Sequence, residues 1–105
     1  MDDPAFVVLM RVHLHFAQVA SLKGKRAELN RVKALLRERL GAAVAEVGGR
    51  DSWQRSVLAV AMPADSEARA HLAADTVQRA LDGRFPDGVR VERRVASWTD
   101  LESVG

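Results

Sequence analysis

The run Phe6-Val7-Val8-Leu9-Met10-Arg11-Val12-His13-Leu14-His15-Phe16 constrains this chain more than any other stretch. Side chains of a strand alternate between its two faces, so Phe6, Val8, Met10, Val12, Leu14 and Phe16 fall on one side. Val7, Leu9, Arg11, His13 and His15 fall on the other. A side that is apolar throughout requires a covering layer. A side that starts apolar and turns cationic suits a sheet with one open face. The run therefore reads as an inner strand under a single layer of helices.

The rest of the chain supplies that layer and more strands. Ser21 is a suitable N-cap for a helix running to about Leu40, with Gly41 as its stop. Leu22, Leu29, Val32, Leu36 and Leu40 form its apolar stripe. Lys23, Arg26, Asn30, Lys33 and Arg37 form a cationic flank, and Leu35 lies off the stripe. Ala42 to Val47 reads as a short strand, and Gly48-Gly49-Arg50-Asp51 as a turn. A long strand follows from Trp53 to Met62, closed by Pro63. Asp65 is expected to cap a second helix, with Ala70, Ala73, Ala74, Val77, Ala80 and Leu81 inward. Gly83 to Gly88 is a loop, and Val89 to about Trp98 is the last strand, with Arg90, Glu92 and Arg94 outward.

The order β-α-β-β-α-β with right-handed crossovers predicts an α+β fold over residues 1–105. This is a ferredoxin-like sandwich, a four-stranded antiparallel sheet with both helices on one face. The first and third strands are expected to be central and mutually parallel. That places His15 and both helix N-termini at one end, and Trp53 and Trp98 near the other.

Composition narrows the function classes. At 105 residues the chain suffices for one domain with one core. It has no cysteine, which removes disulfides, cysteine nucleophiles and thiolate metal sites, and suits a cytoplasmic protein. The formal charge of +2 does not by itself indicate a nucleic-acid partner. The start, MDDPAFVVLM, is acidic where a signal peptide is basic, and no stretch is long enough to cross a bilayer, so no membrane association is expected.

Several segments taken together resemble the YlxP-like family of small bacterial proteins. The carriers are Leu14-His15, Ser21-Leu22-Lys23 with Lys25-Arg26, Ala45-Glu46-Val47, Asp51 with Trp53-Gln54-Arg55, and Val60-Ala61. Gly24 departs from the family's usual acidic residue, and Ser52 from a larger apolar one. The resemblance implies a ferredoxin-like fold and a bacterial cytoplasmic setting, with genes often near those for translation and ribosome maturation. It brings no catalytic residues with it.

The main candidate site is the helix start. Cations near a helix N-terminus are unfavourable unless an anion docks there. Ser21, Lys23, Gly24, Lys25 and Arg26, extended by Lys33, Arg37 and His15, would bind phosphates or RNA, with Gly24 letting a phosphate approach the backbone. Solvated side chains are the alternative. The open sheet face is expected to carry Arg11, His13, Arg55 and Arg94. Val7, Leu9 and Val57, with Trp53 and Trp98, form a possible interface for a homo-oligomer. Trp53 otherwise seals one end of the core.

His13 and His15 lack an evident third ligand, so neither a metal nor any other cofactor is expected. Acylphosphatase chemistry would need a glycine-rich loop where Ala17-Gln18-Val19-Ala20 stands. Base stacking on the sheet would need aromatics where Arg11, His13, Arg55 and Val57 stand. The expectation is a non-catalytic RNA- or ribosome-associated accessory protein. The alternative is a homo-oligomeric interaction module without nucleic-acid binding.

Overall fold

The computed structural model describes residues 3–103. Strand β1 (Phe6–His15) lies inside the sheet and pairs on both edges. On one edge lies β3 (Arg55–Ala64), with His15 opposite Arg55 and Phe6 opposite Ala64. On the other lies β4 (Arg90–Ser97), with Phe6 opposite Ser97. Strand β2 (Ala43–Gly48) adds to the outer edge of β3, giving the order β2-β3-β1-β4 with antiparallel neighbours. Helices α1 (Leu22–Ala34) and α2 (Glu67–Arg84) are the two crossovers, and a short α3 (Trp98–Glu102) follows β4. This is the ferredoxin-like βαββαβ sandwich.

One expectation about direction fails. β1 and β3 are antiparallel. The α1 crossover returns β2 in the direction of β1, and the β2–β3 hairpin then reverses the chain. The His15 end therefore carries the N-terminus of α1 and the loop with Trp53. The N-terminus of α2 and Trp98 lie at the Phe6 end, so the two tryptophans are at opposite ends.

The alternation in β1 is realised from Val8 onward, with Phe6 and Val7 both half-buried. Val8, Met10 and Val12 are completely buried, joined by Leu58 and Val60 of β3. From the helices, Leu29, Val32 and Leu36 enter the same cluster with Ala70, Ala74, Val77 and Leu81. Buried alanines on α2 let its backbone lie close to the sheet. The buried stripe of α1 runs Lys25, Leu29, Val32, Leu36 at helical spacing, while Leu22 stays 45% exposed. A lysine thus occupies a core-facing position.

Several boundaries differ from the sequence reading, and β3 starts at Arg55 and runs through Pro63 to Ala64 rather than closing at Met62. Ser66, not Asp65, caps α2, its hydroxyl accepting the Arg69 N–H at 3.1 Å, while Asp65 pairs with Arg69 at 3.4 Å. Helix α1 gives way to a π-helical turn (Leu35–Arg39) before Gly41, whose φ of +68° ends it. The last strand stops at Ser97, where Ser97 and Asp100 form a reciprocal capping box that starts α3. The Ser-Trp-Thr-Asp spacing is a local signal for that start.

The face assignment is tested by a pair of charges. Val12→Asp, which buries an unpaired carboxylate, should unfold the domain, whereas Arg11→Asp one residue away should leave it folded. Equal melting temperatures would contradict the assignment.

Candidate functional site

The expected phosphate site at the start of α1 is largely consumed by the fold. Ser21 Oγ accepts the Gly24 N–H at 3.1 Å, so that donor is not free. A Cβ at Gly24 would meet Ser21 Oγ at 3.4 Å, an ordinary contact, so sterics do not demand glycine there. Lys25 turns inward and is fully buried, its Nζ donating to the carbonyl oxygens of Gly49 at 2.6 Å and Ser52 at 2.5 Å. Burial pulls its pKa below the ordinary lysine value, with the charges of Glu46 and Asp51 acting in the opposite direction. Arg26 donates to both carboxylate oxygens of Glu46 at 2.9 and 3.2 Å, and Arg37 to the Val44 carbonyl at 2.7 Å. Burial works to raise the Glu46 pKa, but the Arg26 bond and the charges of Arg26, Lys33 and Arg50 hold it below the ordinary value. Lys23 remains exposed and Lys33 half-buried.

These contacts explain why two separated segments matter together. The Ser21–Arg26 segment and the Asp51–Arg55 segment meet at Lys25, which clamps the β2–β3 loop onto α1. Gly49 sits at φ +76°, where a Cβ would come within 2.6 Å of the Arg55 carbonyl oxygen. Ser52 Oγ accepts the N–H groups of Gln54 at 3.3 Å and Arg55 at 3.1 Å, which lengthens the turn. Trp53 consequently lies outside the strand and 55% exposed, rather than sealing the core. The hydroxyl that makes these bonds belongs to the small residue at position 52.

The open sheet face gathers the remaining cations. Along β1, β3 and β4 it presents Arg11, Arg55, Arg90 and Arg94 with Glu92 as their one carboxylate. Arg11 holds Glu92 through two bonds of 2.8 and 2.9 Å, and Arg90 approaches the same carboxylate at 3.6 Å. His13 Nε2 lies 2.7 Å from Glu92, and Arg90 lies 3.3 Å from His13 Nδ1. With Arg90 donating to Nδ1, Nε2 carries the hydrogen that Glu92 accepts. The Arg11 and His13 bonds hold the Glu92 carboxyl down at about 2.

Leu9, Val47, Val57 and Ala59 floor a groove of ≈ 760 Å³ on this face, walled by Arg11, His13, Glu92 and Arg94. Val7 is half-buried on the same face, His15 is exposed at its end, and Trp98 is 64% exposed at the opposite end of the sheet. Arg90 and the hub role of Glu92 were not singled out from sequence. Strict alternation in β4 placed both outward, and only their register against Arg11 and His13 reveals the network. On the helix side, Arg93 reaches back to Asp75 of α2 at 2.9 Å. Among the described residues, no group of three histidine, aspartate or glutamate side chains is placed to hold a metal, and no helix is long and apolar enough to cross a membrane.

The family model described as "Protein of unknown function (DUF503)" matches residues 7–102, almost the whole of this fold. The chain belongs to the DUF503 family. It is also similar to "Uncharacterized protein YlxP" of Bacillus subtilis (strain 168), with 29% identity over 75 residues, spanning 71% of this chain and 77% of that one. Among solved structures it is similar to "De novo designed protein Foldit4", with a TM-score of 0.53 over 88% of this chain and 96% of the other. At 15% identity that likeness speaks for the fold alone. In this DUF503 chain the Ser21–Arg26 and Asp51–Arg55 segments are joined by the Lys25 clamp.

Two substitutions test the two networks. Lys25→Met leaves two carbonyls without their charged donor and should cost about 2–3 kcal/mol in urea unfolding. Glu92→Gln should lower the melting temperature at neutral pH. Because the native carboxyl titrates at about 2, below its ordinary 4.5, its contribution is intact above 4.5 and disappears as pH falls through 2. The gap between wild type and Glu92→Gln should close over that window. A gap independent of pH would contradict the network.

Proposed function

We propose that this chain is a non-catalytic, RNA- or ribosome-associated accessory module of the bacterial cytoplasm. It binds phosphates through the open sheet face rather than through the start of α1. The arginine excess on that face carries this reading: four guanidinium groups against a single carboxylate, which Arg11, His13 and Arg90 already share. Guanidinium groups are well matched to phosphate oxygens in charge and fork geometry. The face itself carries no phenylalanine, tyrosine or tryptophan, and its His13 ring is tied to Glu92 and Arg90, so it contacts mainly the backbone of the nucleic acid and reads little sequence.

A second reading is a homo-oligomer formed through the same face. The exposed Leu9 and Val47, at 50% and 55%, favour it. Stacking the face on its own copy, however, would bring two sets of arginines together, so an anionic partner is the better complement.

The test is single-stranded RNA binding measured across a salt series. The logarithm of the affinity should fall linearly with the logarithm of salt, by roughly 0.7 per phosphate neutralised. Replacing Arg55 and Arg94 with alanine should weaken binding and reduce the slope by roughly 1 to 1.4. Replacing Lys23 and Lys33 should change neither quantity much. A stable dimer by light scattering that is indifferent to RNA would establish the second reading instead.

A further inference from the structure

The two tryptophans are both more exposed than buried, yet their surroundings have opposite charge. Trp98 opens the short α3, followed by Asp100 and Glu102, and shares its groove with Asp3. Trp53 lies between Arg50 and Arg55, with His15 paired across from Arg55 and Asp51 as the one acid in that segment. Of the two indoles, only Trp53 stands in an environment that suits a polyanion.

Trp53 is also held on both sides by fixed backbone. Before it, the Ser52 carbonyl is gripped by the buried Lys25 ammonium, and the Ser52 N–H donates to the Gly49 carbonyl at 3.1 Å. After it, the Gln54 N–H is taken by Ser52 Oγ, and the Gln54 carbonyl accepts the Phe16 N–H at 2.7 Å. An aromatic ring on such a loop is pre-organised, because binding need not order the backbone beneath it. Trp53 is two residues before Arg55, the first open-face residue of β3, so it stands beside the cationic face at the His15 end.

We propose that Trp53 is the stacking platform for an unpaired base of the RNA whose phosphates lie along the open face. This rests on the RNA-binding reading above and adds an indole stacking contact to the phosphate contacts of the face. Stacking requires an unpaired base and tolerates any base identity, since every base offers a π-face. The ligand class is therefore single-stranded RNA, or a loop or bulge, rather than a continuous duplex.

The test uses full-length protein carrying Trp98→Phe, which leaves Trp53 as the single indole, and three octamers: oligoadenylate, oligouridylate and an abasic backbone of equal length. Both base-bearing octamers should quench Trp53 fluorescence to saturation, and the abasic one should bind more weakly without quenching. Trp53→Ala should lose about tenfold in affinity for oligoadenylate while keeping the salt slope, and Trp53→Phe should retain most of it. Circular dichroism of each variant should match the parent, since the side chain is outside the core. If Trp53→Ala binds oligoadenylate as tightly as the parent, or the abasic octamer quenches equally, the stacking role is overturned while phosphate binding stands. If no octamer binds either protein, both are overturned.

Discussion

The constraint on which the molecule depends is that β1 must be satisfied on both edges and on one face at once. Its backbone donors and acceptors are taken by β3 and β4, and its Val8-Met10-Val12 side is sealed by helices to zero exposure. A register slip of one residue would bring Arg11 and His13 into that core and expel Val12. The alternation therefore selects both the pairing and the layer. The same selection leaves the opposite side of β1 uncovered, so the open face is a direct consequence of the core.

Lys25 shows where reading by pattern stops. On a helix diagram it follows Lys23 and precedes Arg26, and three cations in one turn look like a charged surface. Its spacing to Leu29, Val32 and Leu36 equally places it on the buried stripe, and the polarity of the residue alone argued otherwise. What resolves the conflict is a pair of carbonyl oxygens from Gly49 and Ser52, distant in sequence and unpaired by any strand. A buried ammonium is tolerable where such acceptors converge, and costly elsewhere. No local signal in residues 21–26 announces those acceptors.

The four strands, the two long helices and the split of β1 into two faces were legible because each rests on a period of a few residues, while the short α3 was not. The caps at Ser21 and Gly41 were legible for the same local reason. The Glu92 network depends on which strands become neighbours, and the placement of Trp53 on the Ser52 hydroxyl bonds that lengthen the turn. The antiparallel register puts His13 beside Arg90 and Arg11 beside Glu92, a juxtaposition spread over about eighty residues of chain. Charges on an outward strand position look alike in sequence whether they are paired or free.

Pairing decides how the charge of this domain is distributed. Cations near α1 and β2 are spent on structure, Arg26 on Glu46 and Lys25 on the loop, so a net charge of +2 conceals an uneven surface. On the open face the count runs the other way, with one carboxylate shared among several donors. Like charges held together on a sheet repel one another, and a shared Glu92 relieves this only in part. An anion bound across the face would relieve the remainder, and its binding would weaken with salt because exposed charges are screened within roughly 10 Å. The fold thus concentrates its unbalanced charge on the one face that no helix covers.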